Sequence, residues 1–113
     1  MSARRGEVWL ASFDPVEGHE QAGRRPALVL SVDEFNASRA ELVTVLPITR
    51  KHRPQIPSRV ELRPPEGGLK VRSYVIVEQT RTISTRRLVK PMGRVSGTTM
   101  AKVADIARML LGL

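Results

Sequence analysis

Two runs decide the fold: EVWLASF at residues 7–13 and PALVLSV at residues 26–32. The first follows Gly6 and is rich in β-formers, so it reads as a strand. The second is almost continuously apolar and opens on Pro26, which is tolerated at a strand's first residue because no ladder donor is needed there. Between them, residues 14–25 are polar and carry Pro15, Gly18 and Gly23. That is a long loop for a chain of 113 residues, and long loops in compact domains are often functional.

Further along, Asp33 reads as the N-cap of a short helix, EFNASR (34–39). ELVTVLPI (41–48) is a third strand, and its Pro47 implies an edge position or a bulge near its end. TRKHRPQIP (49–57) is a basic, proline-bearing loop. Residues 58–62 alternate in polarity as a fourth strand, and PPEGGLK (64–70) is a turn-rich connection. VRSYVIVE (71–78) is a fifth strand, with residues 79–83 as its extension. A sixth, at 88–95, is interrupted by Pro91 and Gly93.

The last segment changes period. From Thr98, read as an N-cap, Met100, Val103, Ala104, Ala107, Met109, Leu110 and Leu111 recur at helical spacing, with Lys102, Asp105 and Arg108 on the other face. This predicts an amphipathic C-terminal helix whose apolar stripe serves the core or a dimer contact. Several short strands, a short internal helix and a terminal helix make a mainly β (α+β) chain. The expected architecture is a small, partly open antiparallel barrel, one domain over 1–113.

The formal net charge is +8 and the pI about 11.3. Such an excess favours a polyanionic partner: RNA, DNA, an anionic membrane or an acidic protein. A solvated basic surface is the ordinary alternative. With no cysteine, disulfides, zinc–cysteine sites and thiol nucleophiles are excluded, as suits a reducing cytosol. MSARRGEVWL turns polar again at Ser12 and has no signal-peptide core, and no apolar run approaches a membrane span. The expectation is a soluble, cytoplasmic protein with no membrane partner.

If successive strands run antiparallel, the ends of strands one, three and five share a rim with the start of strand two. That rim collects the 14–25 loop, Thr49 to Arg53, and Glu78, Gln79 and Arg81. Its Arg24, Arg25, Arg50, Lys51, Arg53 and Arg81 suit a phosphate backbone, or else are simply solvated.

The chain has neither a Walker-type glycine loop nor a dinucleotide fingerprint. His19 and His52 are its only histidines. No HxxxH or clustered-carboxylate pattern offers a metal site, and with so few histidines no Ser-His-Asp order is persuasive. No metal and no cofactor are expected, which leaves a metal-independent reaction or none. RNA permits one, because its own 2′-hydroxyl attacks the neighbouring phosphate. The protein then supplies alignment, proton transfer and cationic stabilisation.

RRGEVWLASFDPVEGHEQAGRRPALVLS (4–31) resembles the N-terminal signature of the MazF/PemK/Kid toxin endoribonucleases: RG-[DE]-[VI]-W, then DP, then G-x-EQ-x-G-x-RP-x-LV. VLPIT (45–49) and VIVEQTRTI (75–83) match two further family blocks, in the family's order. The resemblance implies an SH3-like barrel that dimerises. It implies sequence-selective cutting of single-stranded mRNA, leaving a 2′,3′-cyclic phosphate and a 5′-hydroxyl. It also implies inhibition by an acidic, partly disordered antitoxin.

Carried over to this sequence, Arg25 matches the family's catalytic arginine and Thr49 its catalytic threonine. Arg25 is assigned to the scissile phosphate, where a guanidinium binds bidentately; its ordinary alternative is an ion pair with Glu20. Thr49 is assigned to a phosphate oxygen or the attacking hydroxyl, against plain backbone capping. Glu20 is the candidate general base, against a salt bridge to Arg24 or Arg25. His19, Gln21, Arg24, Arg50, Lys51, Arg53, Gln79 and Arg81 are assigned to substrate contact. Base selection falls to residues 50–57 and 70–73. Trp9 offers base stacking, but a lone strand tryptophan is more often core.

Two other readings compete. One is a non-catalytic toxin of the same fold that acts on a protein target such as gyrase; that family relies on a tryptophan near the chain end, whereas this sequence ends ARMLLGL. The other is a basic barrel that only binds nucleic acid.

Overall fold

The computed structural model describes residues 2–13 and 23–113. Along them run β1 (Glu7–Ser12), β2 (Arg24–Val29), α1 (Asp33–Asn36), β3 (Leu42–Thr49), β4 (Arg59–Leu62), β5 (Ser73–Ile76), β6 (Arg81–Ser84), β7 (Leu88–Arg94) and α2 (Gly97–Leu111). The sheet order is β4-β5-β3-β2-β1-β7, with β6 also joined to β3. Every pairing is antiparallel. The end strands β4 and β7 do not meet, so the sheet stays open. This is the mainly β, partly open antiparallel architecture expected, with its short internal and C-terminal helices.

β3 is the hub, pairing with β2, β5 and β6. Successive side chains of a strand point to opposite faces, and both faces of β3 are covered. Val43 and Val45 join Trp9, Phe13, Ala27, Val29 and Ile83 in one apolar cluster. Leu46 and Ile48 join Val8, Leu28, Leu62, Val75 and Val103 in the other. Leu28, Leu46 and Leu62 are fully buried, each contributing about 1.5–3 kcal/mol by leaving water.

Pro47 is therefore not at an edge, the first of the two positions expected of it. The Thr44 carbonyl accepts the Leu30 N–H, so by alternation Pro47 turns its missing donor away from β2. There it falls between Val45, the last residue paired with β6, and Ile48, the first paired with β5. Two strands share that edge of β3, and the proline sits at the hand-over.

The same hand-over divides the expected fifth strand. After β5, a 3-10 turn at Val77–Gln79, closed by the Thr80 hydroxyl donating to the Val77 carbonyl at 2.8 Å, carries the chain to β6. Among the described residues there are thus seven strands rather than six.

Both helix starts move relative to expectation. Asp33 lies inside α1 rather than capping it, and its carboxylate accepts the Arg5 N–H at 2.8 Å. α2 is capped by Ser96, not Thr98: the Ser96 hydroxyl accepts the Thr99 N–H at 3.1 Å. Glu66 reinforces this start, accepting from the Ser96 N–H at 3.0 Å and the Thr99 hydroxyl at 2.6 Å. Thr99, Val103 and Ala107 form the buried face, one helical turn apart. The end of the expected stripe does not reach the core: Met109 is 80% and Leu111 63% exposed.

Candidate functional site

One rim does gather the key residues, but not by the strand order expected. β4 is antiparallel to β5, and β5 to β3, so β4 runs in the same direction as β3. The loop after Thr49 returns to set Arg59 beside Ile76. β5 consequently starts at the Thr49 rim, where Thr49 pairs with Tyr74. This brings Lys70, Val71 and Ser73 to the rim and sends Glu78 and Gln79 to the other end of β5. Glu78 there accepts from the Ser58 hydroxyl at 2.7 Å and Arg59 Nε at 2.8 Å.

The rim holds a cleft of about 560 Å³. β2 contributes Arg24, Arg25 and Pro26; β3 and the residues after it contribute Ile48, Thr49, Arg50 and Lys51. The opposite wall is Gly68, Leu69, Lys70, Val71 and Ser73, with Met92 from β7.

A proline opens this cleft. The β2–β3 ladder runs Val29–Val45, Leu28–Leu46 and Ala27–Pro47, and stops. In that register Pro26 faces Ile48, and Arg25 faces Thr49. The Leu30 N–H donates to Thr44, so even-numbered residues of β2 turn their polar groups toward β3. Pro26 is where the next ladder donor belongs, and proline has none. The strands part there, with Arg25 and Thr49 on either side of the gap.

The cleft is strongly cationic. Arg24, Arg25, Arg50, Lys51 and Lys70 line it, and no described lining residue is acidic. The ion pairs among the described residues lie elsewhere: Arg59–Glu78, Arg63–Glu61, Arg72–Glu61 and Arg108–Asp105. Burial lowers the Arg25 pKa from its usual value, because desolvation disfavours the charged form. Arginine nonetheless stays protonated in proteins. Among the described residues it meets no carboxylate, so the ion pair with Glu20 is a matter outside them.

Thr49 is 5% exposed, and its Oγ1 accepts the Lys51 N–H at 3.1 Å. The backbone cap weighed as its ordinary role is therefore present. Accepting that bond leaves the hydroxyl proton for donation, and among the described residues it meets no acceptor.

Of the other assigned residues, Arg24, Arg50 and Lys51 line the cleft, whereas Arg53, Gln79 and Arg81 do not. Arg81 pairs with Val45 and sets its guanidinium over the Phe13 ring, 5.1 Å from the centroid. His19, Glu20 and Gln21 lie outside the described residues. Trp9 is core, 9% exposed, with its indole N–H donated to Glu7 at 3.0 Å. Among the described residues no three histidine, cysteine, aspartate or glutamate side chains gather as a metal site.

The far wall was only half legible. Residues 70–73 figured as base-selecting, but Leu69 and Met92 did not figure at all. The signal lay in the glycines. Gly68 adopts φ +71°, and a Cβ there would sit 2.0 Å from the Met92 carbonyl oxygen. A Cβ on Gly93 would sit 2.6 Å from the Gly68 nitrogen. Backbone packs directly on backbone, which fixes the turn that presents Leu69 and Lys70.

An open antiparallel sheet backed by a C-terminal helix is the architecture of the MazF toxins. The crystal structure of MazF from Deinococcus radiodurans superposes with a TM-score of 0.87 at 30% identity, covering 100% of this chain and 99% of that one. A MazE–MazF structure from the same organism gives 0.82 at 24% identity, covering 100% and 98%. The chain belongs to the PemK-like, MazF-like toxin family of type II toxin–antitoxin systems, whose model matches residues 4–111. It is 38% identical over 114 residues to endoribonuclease MazF9 of Mycobacterium tuberculosis, with 97% of each chain covered. The expected enzyme class, endoribonuclease, is the one that relative carries by name. No helix among the described residues is long and apolar enough to cross a membrane.

Proposed function

We propose that the chain is a metal-independent, sequence-selective endoribonuclease toxin that cuts single-stranded mRNA by attack of the RNA's own 2′-hydroxyl. The observation that carries this reading is the placement of Arg25 and Thr49 in one cleft. The 2′-oxygen bonds to the adjacent phosphorus as the bond from phosphorus to the 5′-oxygen breaks, leaving a 2′,3′-cyclic phosphate and a 5′-hydroxyl. Arg25 grips the non-bridging oxygens and stabilises the charge that grows on them. Thr49 donates to the same phosphate. Glu20 takes the 2′-proton, with His19 as the other candidate, and the 5′-oxygen takes a proton from solvent as it leaves.

Arg24, Arg50, Lys51 and Lys70 hold the flanking phosphates, which makes binding salt-dependent. The same cationic cleft attracts an acidic antitoxin, whose carboxylates compete with phosphate for the arginines. The exposed Met109, Leu110 and Leu111 supply an apolar surface suited to a homodimer.

The test is incubation of the purified protein with a long single-stranded transcript in EDTA, followed by analysis of the ends. Discrete cuts with cyclic-phosphate and 5′-hydroxyl termini are expected. An intact transcript, or 5′-phosphate ends, would overturn the reading.

A further inference from the structure

Beside the cleft, the imidazole of His52 lies flat on the ring of Tyr74, with centroids 4.9 Å apart and planes 5° from parallel. Tyr74 is 5% exposed, whereas His52 is exposed. One face of the imidazole is thus covered and the other open. Tyr74 is also the register partner of Thr49. Directly opposed side chains share a face of the sheet, with Cβ atoms about 4.5–5.5 Å apart. The stack therefore stands next to the hydroxyl assigned to the scissile phosphate, on the same face. Lys51, which lines the cleft, is the adjoining residue.

We propose that the open face of His52 is a stacking platform for a nucleobase flanking the cut. This rests on the single-stranded RNA reading above and adds the subsite that receives a base. Single-stranded nucleic acids are bound by stacking unpaired bases on aromatic or histidine rings. A ring already clamped by a buried tyrosine has little rotamer freedom left to lose on binding. Among the described residues the alternatives are few: Trp9 and Phe13 are buried, Tyr74 is covered by His52 itself, and the half-buried Phe35 sits in α1 and does not line the cleft. His52 acts here through its π-face, so a ring without a proton to transfer does the same work.

The experiment uses the full chain, a single-stranded oligodeoxynucleotide of mixed sequence, which lacks the attacking hydroxyl, and its fully abasic counterpart. His52→Ala weakens binding of the base-bearing strand by about tenfold, within the range of base–aromatic stacking, and leaves the abasic strand's affinity unchanged. His52→Phe restores the loss. Equal affinities of wild type and His52→Ala for the base-bearing strand overturn the platform. So does an equal loss on both strands, which would mark a phosphate contact, or failure of phenylalanine to rescue, which would mark a polar role. Transcript cleavage is scored separately. A protein that stacks but does not cut defeats the nuclease reading alone, and one that cuts with His52 indifferent defeats the platform alone.

Discussion

Arg25 and Thr49 face each other across the gap between β2 and β3, two positions beyond Ala27 and Pro47, the last pair of the ladder. Neither side chain meets a carboxylate among the described residues. Both are therefore poised to act on something from outside, and the predictions below separate that use from any part in stability.

Arg25→Ala should lower RNA cleavage by at least about 10², the usual loss when one preorganised charge-stabilising donor is removed. Arg25→Lys should recover little, since lysine lacks the planar fork. Thermal unfolding should be unchanged for both. Cleavage of a defined transcript, set against the unfolding midpoint, checks this; wild-type rates in Arg25→Ala would end the assignment.

Thr49→Val keeps the shape and removes the hydroxyl. The Lys51 N–H loses its acceptor at a cost of about 1 kcal/mol, while activity should fall far more than so small a destabilisation explains. Thr49→Ser should retain most of the rate. Single-turnover kinetics on the three proteins discriminate a chemical role from capping alone.

Pro26→Ala supplies the donor that the ladder lacks opposite Ile48. About 0.5–1.5 kcal/mol from the new hydrogen bond roughly offsets the 0.4–1 kcal/mol lost through a looser unfolded chain. Stability should hardly move, yet the cleft should narrow and cleavage slow. Hydrogen exchange at residue 26 should show protection, and an unprotected amide there would refute the role given to the proline in parting the strands.

Acid should loosen the start of α2 and the far end of β5. Burial pushes the Glu66 carboxyl up, but hydrogen bonds from Thr99 and Ser96 outweigh it and leave the pKa below its usual value. Glu78 behaves alike: burial raises it, and Arg59 and Ser58 bring it down. A folded-state pKa below the unfolded one gives stability that is present above about pH 4.3 and lost as pH falls through the folded value. Urea midpoints measured from neutral pH downward should drop in that window, and Glu66→Gln should flatten the drop.

Much of the site was legible because its residues sit at strand ends, where pattern and punctuation are clear. The apolar runs placed Arg25 before one strand and Thr49 at the end of another, and the ladder register turned that into an encounter. The direction of β4 was not legible: a polar loop does not reveal whether it reverses the chain or carries it back, and that choice moved Gln79 off the rim and Lys70 onto it. Pro47 misled for a related reason. It marks an edge only if a strand has one partner on each side, and β3 has two on one side. The Ser96 cap escaped notice because its support comes from Glu66, thirty residues away in sequence.

The contact of Gly68 with Gly93 has a genetic corollary. Gly68 belongs to the wall and Gly93 lies behind it; neither is assigned an RNA contact in the proposed mode, yet neither tolerates so much as a methyl group without the wall shifting. A survivor screen, in which cells escape the protein's toxicity through random lesions, should return replacements at these two codons alongside Arg25 and Thr49. Such survivors would accumulate a full-length but ineffective product, and none would be repaired by changes to charged side chains in the cleft.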